Sequence, residues 1–305
     1  MTDGQGPSAR EDHTWTVDPD ASTAYLFGGR DGAGRVLDDL WAYDLASDRW
    51  LLIEADGPPA RFGHNAVWVD GLGLVIFAGQ SATTFYNDLW AYDPGSNRWL
   101  KLPAAGAAPV ARYGSCAAVG PDGRLWISHG FTSEGSRFAD TWAYDFTTLE
   151  WADETPAGER PVERCLHACW WTDDGQLTLY AGQTTGVPAL GDLWLLSHGP
   201  RIGTNTWSEV APGRRPPARQ LYAATRWAGA TVVFGGGSRD GGYLDDVWRI
   251  SDGGTAARLR IGPGPAARLG AELIADPTRG RLLLFGGRDA EGAMRDTWEL
   301  RLPPP

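Results

Sequence analysis

A six-fold internal repeat constrains the fold of this chain more than any other feature of its sequence. An arginine three residues after a proline recurs at intervals of 49 to 55 residues. The second glycine of an apolar run and the tryptophan of an Asp-x-Trp signature keep the same spacing. A fixed period of about 50 residues predicts a repeat architecture in which each unit is one small supersecondary module. The arginines are Arg10, Arg61, Arg112, Arg164, Arg219 and Arg268, and the tryptophans are Trp41, Trp90, Trp142, Trp194, Trp248 and Trp298.

Each repeat reads as four short β-strands, which we name a to d in chain order. Strand a follows the arginine, strand b is the apolar run that ends at a glycine pair, and strand c contains the Asp-x-Trp signature. Strand d begins at a lone tryptophan in four repeats, namely Trp50, Trp99, Trp151 and Trp207. Short runs of aromatic and β-branched residues between Gly, Pro and Asp clusters predict strands, and no helical spacing is sustained.

These glycine pairs, Asp-x-Trp-x-Tyr-Asp signatures, downstream tryptophans and Pro-x-x-Arg-x-x-His openings resemble the kelch-repeat family over essentially the whole chain. The resemblance implies an all-β, six-bladed propeller with one four-stranded blade per repeat and strand a innermost. We expect a single domain over residues 1–305, with repeats at about 7–56, 57–106, 107–158, 159–213, 214–262 and 263–305.

Three repeats depart from the pattern. Repeat 3 has His129 where the others have Gly or Ala. Repeat 5 lacks the strand-d tryptophan, and Leu259 is its predicted substitute. Repeat 6 ends after strand c with Leu302 and three prolines, which predicts a three-stranded last blade, closed by tryptophan-rich packing between blades 6 and 1. Prolines would blunt its bare edge. We expect a monomer, with a dimer through this edge as the alternative.

Composition excludes several partner classes. The net charge of −11 argues against nucleic acid and against an anionic membrane surface. No apolar stretch approaches the roughly 18 residues of a spanning helix, and the N-terminus has neither a basic nor an apolar region. The three cysteines do not resemble a disulfide framework, so we expect a cytoplasmic protein.

In kelch propellers the b–c and d–a loops build the binding face around the mouth of the central channel. By position, the residues directly after the glycine pairs belong there, as do the six repeat arginines. Guanidinium groups at the mouth would bind a carboxylate, a phosphate or an acidic peptide. The alternative is that an arginine present in every repeat pairs between blades. Arg30 and Arg288 occur in only two repeats, each as Gly-Gly-Arg-Asp. The residues after the glycine pairs are Arg30, Gln80, Phe131, Gln183, Gly237 and Arg288.

Single residues that differ from their repeat column are the candidates for chemistry. Glu272 places a carboxyl group on an innermost strand, where it is either functional or paired with an arginine. Glu11 follows Arg10 and is interpreted as a solvated N-terminal residue unless it is functional. His129 lies beside the loop face, as a catalytic group or a tolerated substitution.

Cys165, His167 and Cys169 would share one strand face. However, His167 is the ordinary repeat histidine, so no metal site is predicted. No catalytic signature for a nucleotide, a serine nucleophile or a zinc helix is present, and no cofactor is expected.

Two functions follow from these observations. The favoured hypothesis is a binding scaffold that captures a protein segment or an acidic ligand at the mouth of the channel. The alternative is a small-molecule enzyme that performs lyase- or isomerase-type acid–base chemistry on an anionic substrate, with Glu272 and His129 as the catalytic pair and the arginines as anchors.

Overall fold

The structure is a computed structural model that describes residues 6–20, 22–199, 204–211 and 213–302. Each repeat forms one antiparallel sheet in which the strands lie in the order a, b, c, d. Strand a spans Thr14–Asp18, Asn65–Val69, Cys116–Val119, Ala168–Trp171, Ala223–Trp227 and Leu269–Asp276. Strand b spans Thr23–Phe27, Gly73–Phe77, Leu125–Phe131, Leu177–Tyr180, Ala230–Phe234 and Arg281–Arg288.

The outer strands complete the sheets. Strand c spans Leu40–Asp44, Leu89–Asp93, Arg137–Asp145, Leu193–Ser197, Val247–Ser251 and Thr297–Arg301. Strand d spans Arg49–Ile53, Arg98–Leu102, Glu150–Asp153, Thr206–Glu209 and Ala256–Leu259. Short strands Arg10–Glu11, Arg30–Asp31, Gln80–Ser81, Thr84–Phe85, Arg219–Gln220 and Gly237–Ser238 lie in the loops, and one 3₁₀ turn covers Pro277–Arg279. No helix in the described residues is long and apolar enough to cross a membrane.

The six sheets confirm the predicted six-bladed, all-β propeller. The sixth sheet has three strands among the described residues, also as predicted, while Pro303, Pro304 and Pro305 lie outside them. Each pair of neighbouring blades encloses its own apolar cluster, including blades 6 and 1, where Trp15 and Phe285 meet. Strand b is buried along its length, as in Gly73–Phe77, because neighbouring blades cover both of its faces. The Arg281 guanidinium reinforces the junction of blades 6 and 1 through the Asp48 carboxylate at 2.7 Å.

The strand-d substitute in repeat 5 is Ala256, and the prediction of Leu259 was wrong. Trp50 lies opposite Tyr43 in blade 1, and the matching residue opposite Ile250 in blade 5 is Ala256. The sequence alone does not fix this register, because the turn before the strand differs in length between repeats.

A closed ring of backbone hydrogen bonds joins the six blades at the start of strand a. Each N–H donates to the carbonyl of the neighbouring blade at 2.7 to 3.0 Å, and all six residues have left-handed backbone angles. We call this ring the belt. Its members, in the order of donation, are Asp12, Gly270, Leu221, Leu166, Gly114 and Gly63, which donates back to Asp12.

Cys116 and Cys169 form a disulfide between the inner strands of blades 3 and 4. The interpretation of the cysteines as unrelated to a disulfide framework therefore missed one bond. Cys165 remains a buried thiol.

Candidate binding face and axial cavity

The loop face is built from two concentric rings, which together we call the rim. The residue after each repeat arginine pairs antiparallel with the residue after the glycine pair of the same blade. The inner ring consists of Glu11, Phe62, Tyr113, Cys165, Gln220 and Leu269, and the outer ring consists of Arg30, Gln80, Phe131, Gln183, Gly237 and Arg288. The residues that follow the glycine pairs therefore lie next to the inner ring, one in each blade, and their role as a binding site stays a prediction.

Arg30 and Arg288 converge on one carboxylate although they belong to different blades. Arg30 Nη2 lies 2.8 Å and Arg288 Nη1 lies 3.6 Å from Oε1 of Glu11. The Glu11 side chain is only 6% exposed, whereas the two arginines are 34% and 41% exposed. Glu11 is therefore a buried partner and not a solvated terminal residue. It accepts hydrogen bonds from Arg30 and lies within ion-pair distance of Arg288, and both guanidinium groups remain partly exposed on the surface.

The neighbouring sector of the rim is aromatic. The guanidinium carbon of Arg30 lies 4.9 Å from the centroid of the Phe62 ring, and Phe62 packs edge-on against Tyr113 at 5.5 Å. Phe131 lies 6.1 Å from the Phe85 ring. Cationic and aromatic surfaces thus adjoin on blades 6, 1, 2 and 3.

The other predicted polar residues are turned into their own loops. Gln80 donates through Nε2 to the Ala82 carbonyl at 2.8 Å. Gln183 Nε2 lies 3.6 Å from the sulfur of Cys165. Both amides are partly committed, which makes this sector a weaker candidate for ligand contact than the arginine pair.

The six repeat arginines do not line the mouth, and that part of the predicted site is corrected. Each of them is at most 2% exposed. In blade 2, Arg61 donates to both carboxylate oxygens of Asp88 at 2.7 and 3.3 Å and to the Ala78 carbonyl at 2.9 Å. Trp90 of the Asp-x-Trp signature donates to the same carboxylate at 2.8 Å. The same pattern recurs for Arg10, Arg112, Arg164, Arg219 and Arg268 with Asp39, Asp140, Asp192, Asp246 and Asp296.

These arginines hold blades together instead of binding ligands. Their ion pairs stay within one repeat, but their backbones reach the preceding blade, as where the Gly29 N–H of blade 1 donates to the Arg61 carbonyl of blade 2. A fully buried guanidinium whose three nitrogens all donate to the protein presents no exposed group to a ligand. The structural alternative, in which the repeat arginines pair with other residues of the propeller, is therefore the better description. The ion pair itself lies within one blade and not between blades.

An axial cavity of about 430 Å³ lies below the belt, on the side away from the rim. Strand a of every blade contributes to its wall, which extends as far as Val17 and Ala275 and includes no rim residue. Among the described residues of that wall, Asp12 and Glu272 are the carboxyl groups, and there is no arginine or lysine. The belt residues thus line the end of the cavity that is nearest to the rim.

Both carboxyl groups of the cavity have pKa values above their usual range. Burial, followed by the charge of Asp12, raises the pKa of Glu272 to about 8. Burial and the charge of Glu11 raise the pKa of Asp12 to about 7. Tyr113 Oη lies 3.4 Å from Oδ2 of Asp12, while Oδ1 is buried without a hydrogen-bond partner. A wall with these two acids and no cation does not suit an anionic substrate.

Comparison with known proteins agrees with this architecture. The family model of the KLHDC2/KLHL20/DRC7 Kelch-repeats domain matches residues 1–182. The chain belongs to the kelch-repeat family. A solved structure of YjhT has the same propeller fold, with a TM-score of 0.76 and 19% identity over 98% of this chain and 97% of that one.

Among curated relatives of this kelch propeller, an F-box/kelch-repeat protein of Arabidopsis thaliana is 26% identical over 89% of the chain and 50% of its own length. The tRNA wybutosine-synthesizing protein 4 of Emericella nidulans is 30% identical over 61% of the chain and 18% of its own length. Dynein regulatory complex subunit 7 of Chlamydomonas reinhardtii is 29% identical over 38% and 11%. The chain spans half or less of the length of these relatives.

The structure does not bring the predicted catalytic pair of the kelch propeller together. Glu272 lines the axial cavity, but His129 is fully buried outside its wall and binds the Ser128 hydroxyl through Nδ1 at 2.6 Å. Burial and the charge of Arg164 lower the pKa of His129 to about 3, so this histidine is neutral. His129 is therefore a core residue on a tight turn, as the alternative interpretation stated.

The structure also changes the interpretation of one cysteine–histidine set and of one aspartate. Cys169 is bonded to Cys116, so Cys165, His167 and Cys169 do not form a ligand set. Asp12 was not predicted as a candidate. At the equivalent position the other five repeats have an uncharged residue, namely Gly63, Gly114, Leu166, Leu221 and Gly270. The presence of one charged residue at a position that is otherwise Gly or Leu could have identified it.

Proposed function

We propose that this kelch propeller is a binding scaffold that captures a protein segment at the rim, with Arg30 and Arg288 as the anchor for a carboxylate of that segment. The observation that carries the proposal is the convergence of these two partly exposed guanidinium groups on buried Glu11. Arginine presents a planar fork that matches a carboxylate, and a fixed side chain loses less entropy on binding.

The surroundings of the pair favour a peptide over a small acid. Partly exposed aromatic rings, those of Tyr113, Phe85 and Phe131, lie on the same face of blades 2 and 3, so a segment with an acidic residue beside apolar side chains would contact both regions. A small anion would engage the arginines alone. By its name, dynein regulatory complex subunit 7 acts within a protein assembly, which is consistent with a scaffold role.

The experiment compares capture by the wild-type chain and by the Arg30→Ala, Arg288→Ala double variant. Each immobilised protein is incubated with lysate of the native host, and the bound fraction is identified before and after dialysis, which separates proteins from small acids. Loss of two hydrogen bonds to a charged group corresponds to a reduction of about 100-fold or more in affinity. Arg35→Ala is the matched control, since Arg35 is 72% exposed and pairs with Asp31 on the same loop.

The melting temperature of the double variant is expected to fall moderately, because the buried Glu11 carboxylate loses these two counter-charges, but the variant is expected to stay folded at the temperature of the assay. Equal capture by the double variant would refute the site assignment, as would a loss of folding.

The alternative, acid–base chemistry on an anionic substrate at the mouth, has less support. Of the two carboxyl groups with a raised pKa, Glu272 lies in the axial cavity below the belt, and Asp12 lies in the belt itself, where the charges of Arg30 and Arg288 act on it. Acid–base chemistry there would suit a neutral or cationic substrate, since the described wall has two carboxyl groups and no arginine or lysine that could bind an anion.

A further inference from the structure

A second cavity, of about 230 Å³, lies between blades 5 and 6. Its wall is mostly apolar and includes Phe234 of blade 5, Gly264 of the connection, and Leu273 and Leu300 of blade 6. An apolar cavity of about 150 Å³ is enough to bind benzene, so this space can hold a larger aromatic group.

The internal repeat identifies which group belongs in such a space. In blade 1 the strand-d tryptophan Trp50 packs on Trp15 at 5.4 Å and on Tyr43 at 4.7 Å in its own blade. It also packs on Phe285 of the preceding blade at 5.1 Å. A β-carbon on Gly6, in the connection before strand a, would lie 3.1 Å from its indole ring.

All four neighbours of Trp50 have counterparts in the wall of the cavity. The repeat register matches Trp15 with Leu273, Tyr43 with Leu300, Phe285 with Phe234 and Gly6 with Gly264. The cavity is therefore the place that a strand-d tryptophan of blade 6 would fill.

The strand that would carry this tryptophan is also missing among the described residues. Within residues 6–20, 22–199, 204–211 and 213–302, no strand pairs with the outer side of Thr297–Arg301. Trp298 on this strand is 37% exposed. An open edge offers a row of backbone donors and acceptors that an extended segment can pair with.

Charges on the open edge indicate the sequence of that segment. The residue before the strand-d tryptophan lies opposite Asp44 in blade 1, where it is Arg49, and opposite Asp93 in blade 2, where it is Arg98. Blade 6 has Arg301 at the matching position, with a side chain that is 81% exposed and that pairs with Glu299 along the same edge, so a facing segment would exchange this surface ion pair for its own. The residue after the tryptophan would lie opposite Glu299. Opposite charges in directly facing positions stabilise antiparallel pairs.

We propose that the outer edge of blade 6 is a strand-addition site for a partner protein. An extended segment pairs antiparallel with Thr297–Arg301 and inserts a tryptophan into the cavity between blades 5 and 6. The segment has an acidic residue before the tryptophan and a basic residue after it. This site is separate from the rim and does not depend on the function proposed for the rim.

The test uses the full chain and a fluorescent peptide copied from residues 96–102, with glutamate in place of Arg98 and lysine in place of Leu100. Binding is measured by fluorescence anisotropy, and hydrogen exchange of the amides of Thr297–Arg301 is measured with and without peptide. We expect saturable binding and slower exchange of these amides. A peptide with alanine in place of Trp99 is expected to bind at least about tenfold more weakly.

A charge exchange provides the matched control. Arg301→Glu changes an exposed side chain. It is expected to weaken binding of the acidic peptide by about two- to fivefold and to strengthen binding of the unmodified peptide that retains Arg98. Equal binding of the tryptophan and alanine peptides would overturn the proposal. It would also be overturned by a dimer that the peptide does not disrupt and whose edge amides are already protected, because a second copy would then occupy the edge.

Discussion

The sulfur atoms of Cys116 and Cys169 are bonded to each other across the boundary between blades 3 and 4, on the wall of the axial cavity. The bond connects residues 53 positions apart. It therefore restricts the unfolded chain over a whole repeat, in addition to fixing two inner strands. Disulfides persist mainly in oxidising compartments, whereas the expectation of a cytoplasmic location remains a prediction.

Reduction of this disulfide is expected to lower the free energy of unfolding by about 2–4 kcal/mol. The measurement is urea unfolding with and without dithiothreitol. The control is the Cys116→Ser, Cys169→Ser double variant, which should start at the lower stability and show no further change on reduction. An equal effect of the reductant on both proteins would contradict the prediction.

Loss of the Asp88 charge is expected to destabilise the propeller strongly. Arg61 is fully buried, so Asp88→Asn leaves a cation without its counter-charge, at a cost of about 3–5 kcal/mol. Although burial alone would raise it, hydrogen bonds from Arg61 hold the pKa of Asp88 below its usual range.

The matched control for this variant is Asp31→Asn. It removes the partner of exposed Arg35 and should change stability by less than about 1 kcal/mol. Urea unfolding of both variants tests whether the repeat arginines stabilise the fold. If they do not, the two variants should show similar, small losses of stability.

Glu272→Gln is expected to stabilise the protein at alkaline pH. The pKa of Glu272 is raised from 4.5 to about 8 in the folded state, so folding favours the protonated form. The stability of the wild type is therefore highest below about pH 4.5 with respect to this group, and it falls as the pH rises through about 8.

The variant should match the wild type near pH 5 and exceed it by about 1–3 kcal/mol near pH 9. Melting temperatures across this range provide the measurement. Glu134→Gln, at an exposed loop position, should show no such pH-dependent gain. A gain of equal size at both pH values would be inconsistent with the raised pKa.

Gly63→Ala tests the belt. Gly63 has a φ of 59°, and a β-carbon there would lie 1.9 Å from Cε2 of Tyr113. The substitution must displace the tyrosine in addition to the ordinary cost of a left-handed residue, which is about 1–2 kcal/mol.

Gly71→Ala is the matched control for this substitution, since Gly71 has a φ of 79° and no atom within 4 Å of its β-carbon position. We expect Gly63→Ala to cost at least about 1 kcal/mol more than Gly71→Ala in thermal unfolding. The added change Tyr113→Ala should reduce that difference, and additive costs would argue against a contact.

The blades could be predicted from the sequence because each blade is specified by residues of its own repeat. The spacing of Arg61, Asp88 and Trp90 recurs in every repeat, and the three side chains meet within one blade. Periodicity predicts such a unit without knowledge of its neighbours. It does not reveal that the arginine is buried, since the same residue type would suit an open mouth.

Contacts between distant repeats could not be predicted in this way. Glu11 and Arg288 are far apart in the chain and meet only because blade 6 closes on blade 1. Asp12 and Glu272 share a cavity for the same reason. His129 is expected near the face from its position at the end of strand b, but its side chain turns into the core, a direction that the repeat pattern does not encode.

The belt implies that the number of blades is not set by the bonds that close the circle. In the belt, every blade donates one N–H hydrogen bond to the neighbour on one side and accepts one at its carbonyl from the other side. A further repeat could therefore join this ring without leaving any of these N–H or carbonyl groups unpaired. The chain supplies six repeats, and the thickness of the apolar layer between adjacent sheets sets how wide an angle each of them fills. A chain with one more repeat could therefore close the same ring of hydrogen bonds only with thinner layers between its blades.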